Sequence, residues 1–312
     1  MRLRLLVPVL LLAGAIAPQA ASARLVVGMS DQRSETFGSA LYRAAGFTHA
    51  RYIVPYDVAT DPDQAARFTA WLDGAESAGQ VTLVSFEHSR KSRAAAAKLP
   101  SPKAFEKAIK QVKARWGAQI DELSPWNEVN RKLDKSRGEG QPTWNRPDMA
   151  ARYYGVTRRV FKGRPIAALD VLDQNEVGPA VKYIAKFKAA VKAQKLPAPK
   201  VWGLHPYSDI NRFSTKRTRA LLKATGSGTV WLTEASGIVR FGTNFPFSEK
   251  RAAAANRCMF TIAKLNTRIK RLYVFGWAAG GSFDSGLVDE AGNARPGYDV
   301  VKKRTAGRCK RP

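Results

Sequence analysis

Cysteine and histidine are scarce in this sequence of 312 residues. Two cysteines, Cys258 and Cys309, and three scattered histidines are present, and their spacing matches no common set of metal ligands. The sequence therefore predicts no metal site. In an oxidising compartment an even pair of cysteines favours one disulfide, which would tie the C-terminal tail to a late helix. Two unpaired thiols are the alternative.

Long apolar runs are also few. The single one, at 5–17, follows two arginines and precedes the small-residue pattern Ala-Ser-Ala at 21–23. The run is short for a membrane span, and its flanks are typical of a secretory signal peptide. We therefore expect residues 1–23 to be a signal peptide, and the protein to be secreted and to have no membrane span.

Acidic residues are outnumbered by basic ones: 25 Asp and Glu stand against 52 Lys and Arg, and the formal net charge is +27. Such a charge would attract anionic glycans, cell-wall polymers or nucleic acid, with an affinity that falls as salt is added. Many cations lie in helical patterns such as KAFEKAIKQVKARWG, so solvated outer helix faces are the alternative interpretation. Because no nucleic-acid binding motif accompanies the charge, the sequence predicts no specific nucleic-acid partner. The oligomeric state stays open.

A glycine-rich nucleotide-binding turn is missing as well. The first apolar run continues into VVGMSDQRSE, which lacks the G-x-G-x-x-G of a doubly wound sheet that binds a dinucleotide. The sequence thus disfavours an open doubly wound sheet and predicts no cofactor.

Apolar, β-branched runs alternate with amphipathic stretches along the whole chain. The runs predict strands at 24–31, 50–57, 81–89, 120–128, 165–173, 200–209, 229–237 and 271–279. The amphipathic stretches predict helices at 34–45, 62–78, 102–117, 147–162, 179–194, 214–224, 248–265 and 296–304. Eight strands that are each followed by a helix close naturally into a barrel. We predict one α/β domain, a single (β/α)8 TIM barrel over residues 24–312.

Polar and aromatic residues gather at the predicted C-terminal ends of the strands, where barrels of this kind carry their active sites. Two of them are carboxylates: Glu128 ends the fourth strand and Glu234 lies near the end of the seventh. Two carboxylates across a cleft are the minimum machinery for hydrolysing a glycosidic bond. From spacing alone, loop caps or partners of nearby arginines are interpretations that stay open.

Four short motifs follow one another along the chain: WNE at the fourth strand, HPY at the sixth, WLTEASG at the seventh and FGWAA at the eighth. Together they resemble clan A of the retaining glycoside hydrolases. The likeness extends from Arg51 to the closing GLVDEAGNARPGYDVVK and is nearest to glycoside hydrolase family 39 and its neighbours. One departure is Val129, because many members of the clan have proline after the acid.

The resemblance implies a role for each matched residue. Glu128 would be the general acid and base, and Glu234 the nucleophile that forms a glycosyl-enzyme intermediate. Asn127 would donate a hydrogen bond to the sugar 2-hydroxyl. His205 or Tyr207 would orient the carboxylate of Glu234.

Further substrate contacts are expected from an arginine and three tryptophans. By the same resemblance, Arg51 would keep Glu234 ionised, and Trp277 would form the floor of the subsite that holds the reacting sugar. Trp126 and Trp144 would stack on sugar faces, with packing against their loops as the alternative.

Together these features predict a secreted retaining glycoside hydrolase that cleaves a polysaccharide or glycoconjugate by double displacement. A non-catalytic glycan or cell-wall binding protein on the same barrel is the alternative. The sugar, the linkage and internal or terminal cleavage depend on loop shapes that the sequence does not reveal.

Overall fold

The computed structural model describes residues 25–311, and the predicted signal peptide lies outside them. Ten strands occur within this range. They are β1 Val26–Ser30, β2 His49–Pro55, β3 Val81–Glu87, β4 Glu122–Ser124, β5 Ala167–Leu172, β6 Val201–His205, β7 Thr229–Ala235, β8 Arg240–Phe241, β9 Ile269–Phe275 and β10 Phe283–Asp284.

Eight of these strands form one parallel sheet in the order β4-β3-β2-β1-β9-β7-β6-β5. A parallel bridge between Leu123 and Ile166 joins the two outermost strands, so the sheet is nearly closed. The short strands β8 and β10 pair with each other in antiparallel fashion. The predicted (β/α)8 barrel is confirmed, and each of the eight predicted strands contributes to it.

Ten α-helices are found in the same range. They are α1 Ala40–Ala45, α2 Pro62–Ser77, α3 Arg93–Ala96, α4 Pro102–Trp116, α5 Pro147–Val160, α6 Val177–Ala193, α7 Tyr207–Asn211, α8 Lys216–Thr225, α9 Glu249–Ala263 and α10 Pro296–Lys302. Two 3-10 helices, Ser34–Gly38 and Val58–Thr60, precede α1 and α2. No helix within residues 25–311 is long and apolar enough to cross a membrane.

The sequence did not predict α3 and α7. The second of these replaces the end of the strand predicted at 200–209, which stops at His205. Pro206 follows directly, and a proline cannot donate a hydrogen bond to a neighbouring strand. The chain therefore leaves the sheet at this point and turns over the C-terminal end of the barrel.

Helix α4 illustrates how the outer layer is built. The Ser101 side chain accepts a hydrogen bond from the amide of Ala104, and Pro102 opens the helix, which are favourable features at a helix start. Its buried side chains recur at helical spacing: Phe105, Ala108, Ile109, Val112 and Trp116. Its lysines lie on the exposed face, so for this helix the cations are on the solvated outer side.

A small second core lies within the barrel. Leu83, Ala167, Trp231 and Tyr273 come from β3, β5, β7 and β9 and are buried together. Because β3 and β7 lie far apart in the sheet order, their side chains meet across the barrel interior. Arg271 stacks on the Trp231 ring at 4.1 Å, and this layer fills the interior below the polar groups that carry the candidate site.

A disulfide joins Cys258 of α9 to Cys309 near the end of the chain. The link closes a sequence separation of 51 residues and holds the segment after α10 against α9. Because a covalent link of this length restricts the unfolded chain, we expect it to raise the free energy of unfolding.

Replacing both cysteines by alanine should lower the free energy of unfolding by about 4 kcal/mol, the loop-closure term for a link of this span. Urea denaturation with and without reductant would measure it. Reductant should destabilise the wild type and leave the double variant unchanged. Coincident transitions for the oxidised and reduced wild type would contradict the expectation.

Candidate active site

The segment that carries Glu128 continues from β4 between two neighbouring strands. The amide of Asn127 donates to the carbonyl of Phe86 on one side at 2.7 Å, and the amide of Val129 donates to the carbonyl of Asp170 on the other at 3.1 Å. A proline at 129 would lack the second of these donors. The departure from the Trp-Asn-Glu-Pro pattern therefore has a structural consequence, a hydrogen bond that ties this loop to β5.

Glu128 itself has a left-handed backbone conformation, with φ of 44°. Residues other than glycine rarely adopt it, at a cost of about 1–3 kcal/mol, and such outliers cluster at functional sites. The following residues hold the conformation in place. The Asn130 side chain exchanges two hydrogen bonds with the backbone of Leu172, at 2.8 and 2.9 Å.

Glu234 lies near the end of β7 at an irregularity in the sheet. The pairing of β7 with β9 shifts register between Leu232 and Ala235. In a regular strand Thr233 and Glu234 would point to opposite faces. Here both reach the same buried polar network, Thr233 through Asp170 and Glu234 through Arg51. Bulges of this kind re-aim side chains beside active sites.

Arg51 of β2 is the centre of that network and is fully buried. Its guanidinium donates to Glu234 Oε1 at 2.7 Å, to Asp170 Oδ2 at 2.9 Å and to Asn127 Oδ1 at 2.9 Å. It also donates to the hydroxyls of two serines, Ser85 at 3.0 Å and Ser30 at 3.2 Å. A buried charge is tolerated only with such partners.

The charges in this network stabilise one another. Burial raises the pKa of Asp170, but the charges of Arg51 and His205 and the hydrogen bonds from Thr233 and Arg51 together outweigh burial and hold that pKa below its ordinary value. Burial lowers the pKa of Arg51, and the two carboxylates more than reverse the effect. The same guanidinium pairs with Glu234 at 2.7 Å.

His205 and Tyr207 lie between the two glutamates. The Tyr207 hydroxyl donates to Glu234 Oε2 at 3.0 Å. The Nδ1 atom of His205 lies 3.4 Å from Glu128 Oε1 and 3.8 Å from Glu234 Oε2. Burial raises the pKa of Tyr207, the negative charge of Glu234 raises it further, and the phenol remains a donor. Tyr207 is therefore the residue in hydrogen-bond contact with Glu234, while His205 contacts Glu128 more closely.

The two glutamates are close together. One oxygen of Glu128, one oxygen of Glu234 and a ring nitrogen of His205 all lie within 4.8 Å of one another. Carboxyl groups stand about 5–5.5 Å apart in retaining glycosidases and about 6.5–9.5 Å apart in inverting ones. The separation between the oxygens of Glu128 and Glu234, at most 4.8 Å, fits the shorter distance of the retaining geometry.

Glu128 differs from Glu234 in its electrostatic surroundings. Burial raises its pKa, but the hydrogen bond from His205 and the positive charges of His205, Arg131 and Arg51 outweigh burial and leave the pKa below its ordinary value. Burial lowers the pKa of His205, and the charge of Glu234 and the bond to Glu128 raise it above its ordinary value. With nothing bound, the site favours an ionised Glu128.

Glu128, His205 and Glu234 also form the one group of such side chains within residues 25–311 that is compact enough to hold a metal ion. Two guanidinium groups already contact its carboxylates: Arg51 at 2.7 Å from Glu234 and Arg131 at 3.4 Å from Glu128. Like charges so close oppose a bound cation. The geometry fits a pair of carboxylates for acid–base work better than a metal centre.

The expected position of Trp277 does not agree with the structure. Gly276 has φ of 84° and turns the chain after β9, and the Trp277 ring is buried against Tyr42 of α1 and Tyr298 of α10. It therefore packs beneath the helices and is not the floor of a sugar subsite. The turn at Gly276 decides this direction, and strand periodicity alone does not reveal it.

The other two tryptophans have different positions. Trp126 is 1% exposed, stacks on Tyr153 and Tyr56, and donates to Gln141 Oε1 at 2.8 Å, so it packs against its loop and does not face a sugar. Trp144 lies half-buried on the loop after β4. Trp144 therefore keeps some surface for a ligand, whereas Trp126 has almost none.

Sequence reasoning missed a group of phenylalanines beside the site. Phe283 of β10 contacts Tyr207 at 5.5 Å and Phe275 at 5.9 Å between ring centroids. Phe241 of β8 contacts Phe283 at 5.3 Å and is 43% exposed. The short β8–β10 ribbon brings these rings together, and strands of two residues carry no periodic signal in the sequence.

No protein-family model matches the chain, and no curated protein sequence matches it. Solved structures do resemble it. One of two fungal β-1,4-galactanases superposes with a TM-score of 0.64 at 16% identity, over 90% of this chain and 100% of that one. Xylanase 10B from Thermotoga petrophila gives 0.61 at 13% identity, over 90% and 93%. A family 113 β-1,4-mannanase gives 0.55 at 13%, over 90% and 97%. At such low identity the likeness concerns the fold.

Replacing Arg51 by methionine would leave Asp170 and Glu234 buried without their cation. Breaking a buried ion pair in this way costs about 3–5 kcal/mol, and we expect the free energy of unfolding to fall by about that much at pH 7. The pKa of Asp170 is lower in the folded protein than in the unfolded chain, where it is about 3.9. The contribution of ionised Asp170 to the free energy of unfolding is therefore fully present above about pH 3.9 and is lost as the pH falls through the lower pKa of the folded protein. The deficit of the variant should therefore shrink as the pH is lowered from 7 towards 3.

Urea denaturation at a series of pH values would measure this deficit. Arg159→Met is the matched control, because Arg159 forms an exposed pair with Glu106 at 3.0 Å that should contribute only about 0–1 kcal/mol. A deficit for Arg51→Met that stays constant across the pH range would contradict the assignment.

Proposed function

We propose that this protein is a secreted retaining glycoside hydrolase in which Glu128 is the acid and base and Glu234 the nucleophile. One observation carries the proposal: the two carboxylates lie within 4.8 Å of each other at the C-terminal end of the barrel, in unlike surroundings. Glu234 is paired with a buried arginine, and Glu128 is held on a strained loop beside a histidine.

In the first step, an oxygen of Glu234 attacks the anomeric carbon while the bond to the leaving oxygen breaks and Glu128 gives that oxygen its proton. In the second step, Glu128 takes a proton from water, and the water oxygen displaces Glu234 from the sugar. Two inversions leave the anomeric configuration unchanged. Arg51 and Tyr207 each contact one oxygen of Glu234, so the nucleophile is oriented before the substrate arrives.

We expect Asn127 to bind the sugar hydroxyl that is next to the reacting carbon. Its Oδ1 accepts from Arg51, which directs the Nδ2 group away from the arginine and leaves it to donate to a sugar 2-hydroxyl. Such a bond strengthens in the transition state. The exposed edge formed by Phe241 and Phe283 offers apolar ring surface for a sugar face close to Tyr207.

The proposed substrate is a polysaccharide or glycoconjugate. The galactanase, xylanase and mannanase that share the fold support this class and leave the sugar and the linkage undefined. Secretion is proposed from the signal peptide that the sequence predicts at 1–23. Membership of glycoside hydrolase family 39 stays a prediction.

One observation favours a second candidate, a glycan-binding protein without turnover. A general acid must hold a proton near its working pH, and the cations around Glu128 oppose this by lowering its pKa. A pair of ionised glutamates could bind sugar hydroxyl groups without cleaving a bond. The two candidates differ in whether reducing ends are released.

Glu128→Gln and Glu234→Gln should both fold and both lose activity on polysaccharides, and we expect Glu128→Gln to lose about 10²–10⁴-fold because it cannot transfer a proton. The Glu128 variant should be less impaired on an aryl glycoside, whose leaving group needs no proton. Reducing-end release measures the loss, and proton NMR of the first product reports its anomeric configuration.

Glu139→Gln is the control, because this exposed glutamate lies on the same loop and its side chain contacts Arg131 but neither proposed catalytic residue. It should retain wild-type rates on neutral substrates. An inverted first product would reject double displacement. If wild type and Glu234→Gln both bind a glycan saturably and neither releases reducing ends, the protein is a glycan-binding protein without turnover.

A further inference from the structure

Arg131 is a cation of the candidate site for which the proposed mechanism has no use. Its Nη1 atom lies 3.4 Å from Glu128 Oε2, and its Nη2 atom lies 3.6 Å from Glu139 Oε2. The Arg131 side chain is 45% exposed, so both contacts are open to solvent. Contacts of this length and exposure hold a side chain only weakly.

Arg131 contacts the proposed acid through the oxygen that His205 does not contact. His205 contacts Glu128 through Oε1 and is also near Glu234, whereas Arg131 contacts Glu128 through Oε2. In a retaining reaction the nucleophile keeps one sugar and the acid protonates the departing one. A cation paired with the acid, rather than with the nucleophile, therefore belongs to the leaving-group half of the reaction.

The backbone of Arg131 is fixed while its side chain is not. Its amide donates to the carbonyl of Glu128 at 2.9 Å, and its carbonyl accepts from the amide of Gln141 at 3.0 Å. The side chain therefore starts from a fixed point of the backbone, and its guanidinium can exchange one carboxylate partner for another. A planar guanidinium pairs best with a carboxylate, which it can contact through two parallel hydrogen bonds.

We propose that Arg131 is a specificity-determining residue that binds a uronic-acid carboxylate on the leaving-group side of the cleft, so that the substrate is an acidic polysaccharide. This inference rests on the proposed function. The bound carboxylate takes Arg131 away from Glu128, and the acid then loses a neighbour that favours its ionised form. The substrate thereby prepares the acid that cleaves it.

The charge of the protein agrees with this assignment. Its formal net charge of +27 would attract an acidic polymer from solution. The titratable and charged groups around Glu128 are Arg131 of its own loop, Arg51 of β2, His205 of β6, Tyr207 of α7 and Glu234 of β7. Arg131 is the most exposed of these five, so a substrate anion can reach it and change its pairing.

Matched substrates test the proposal. Glucuronoxylan, a glucuronic-acid-bearing arabinogalactan and polygalacturonate would each be compared with a carboxyl-reduced form, in which the acid is an alcohol and the backbone is unchanged. For a substrate that wild type cleaves, we expect kcat/KM to be about tenfold higher for the acidic form, the factor that one charge-assisted contact supplies. Arg131→Gln should reduce this preference to about twofold or less.

Arg146→Gln is the control for general charge effects. Arg146 has the same side-chain exposure of 45% and pairs with Asp148, away from the glutamates. It should leave the preference unchanged. Equal loss in both variants would mean that the overall charge, and not Arg131, selects the substrate. Equal rates of wild type on the acidic and reduced forms would overturn the proposal.

The pH profile separates a direct role from a structural one. In the free enzyme Arg131 helps to lower the pKa of Glu128, and the alkaline limb of kcat/KM reports that pKa. The alkaline limb of kcat reports the pKa in the complex, where an acidic substrate has taken Arg131 away, so it should lie at higher pH. Arg131→Gln should move the alkaline limb of kcat/KM to higher pH, so that it coincides with the alkaline limb of kcat. An unchanged profile would reject the effect on Glu128.

A binding measurement keeps the inference testable if no substrate is cleaved. Calorimetry with Glu234→Gln would compare the affinities of the acidic and carboxyl-reduced forms of the same polysaccharides, with and without Arg131→Gln. Preference for the acidic form that depends on Arg131, with no turnover by wild type, would retain the carboxylate site and reject the hydrolase. Cleavage without any such preference would retain the hydrolase and reject the carboxylate site.

Discussion

The buried guanidinium of Arg51 is the interaction on which the candidate site depends. It lies on β2 and bonds to side chains from β1, β3, β5, β7 and the loop after β4. A charge in the barrel interior must be compensated there, so each of these elements is held in one position relative to the others. The same contacts orient Asn127 and Glu234. Stability of the upper barrel and alignment of the candidate nucleophile therefore have a common physical origin.

The two glutamates differ because Arg51 donates a hydrogen bond to Glu234, whereas Glu128 is paired with His205 and Arg131. Glu234 pairs with the guanidinium of Arg51 and accepts a hydrogen bond from the Tyr207 phenol, and these contacts hold its carboxylate in one orientation. Glu128 lies on a strained loop between a histidine and a partly exposed arginine. Its pKa therefore depends on its contacts with these two neighbours. This asymmetry is what an acid and a nucleophile need from the same residue type.

The solved structures that resemble the chain share its fold at 13–16% identity. A barrel tolerates such divergence because its helices and strands depend mainly on the pattern of apolar residues, which many sequences satisfy. Activity depends instead on a few strand-end side chains. Their identities in this chain are compatible with glycoside hydrolysis, and loops around such side chains commonly determine what a barrel binds.

Periodicity and composition were enough to predict the eight strands, the eight main helices and the barrel, because burial of alternating elements imposes a regular apolar pattern. They also placed Glu128 and Glu234 at one end of it, because parallel strands end at the same edge, whereas Arg51, His205 and Tyr207 were predicted as their partners from the family resemblance. Only the tertiary structure decided how close these groups lie and which of them touch. The bulge in β7, the left-handed backbone of Glu128 and the turn at Gly276 set those directions. Each depends on contacts between residues that are distant in sequence, which is why Trp277 faces the helices, Phe283 meets Tyr207 and Arg131 contacts Glu128.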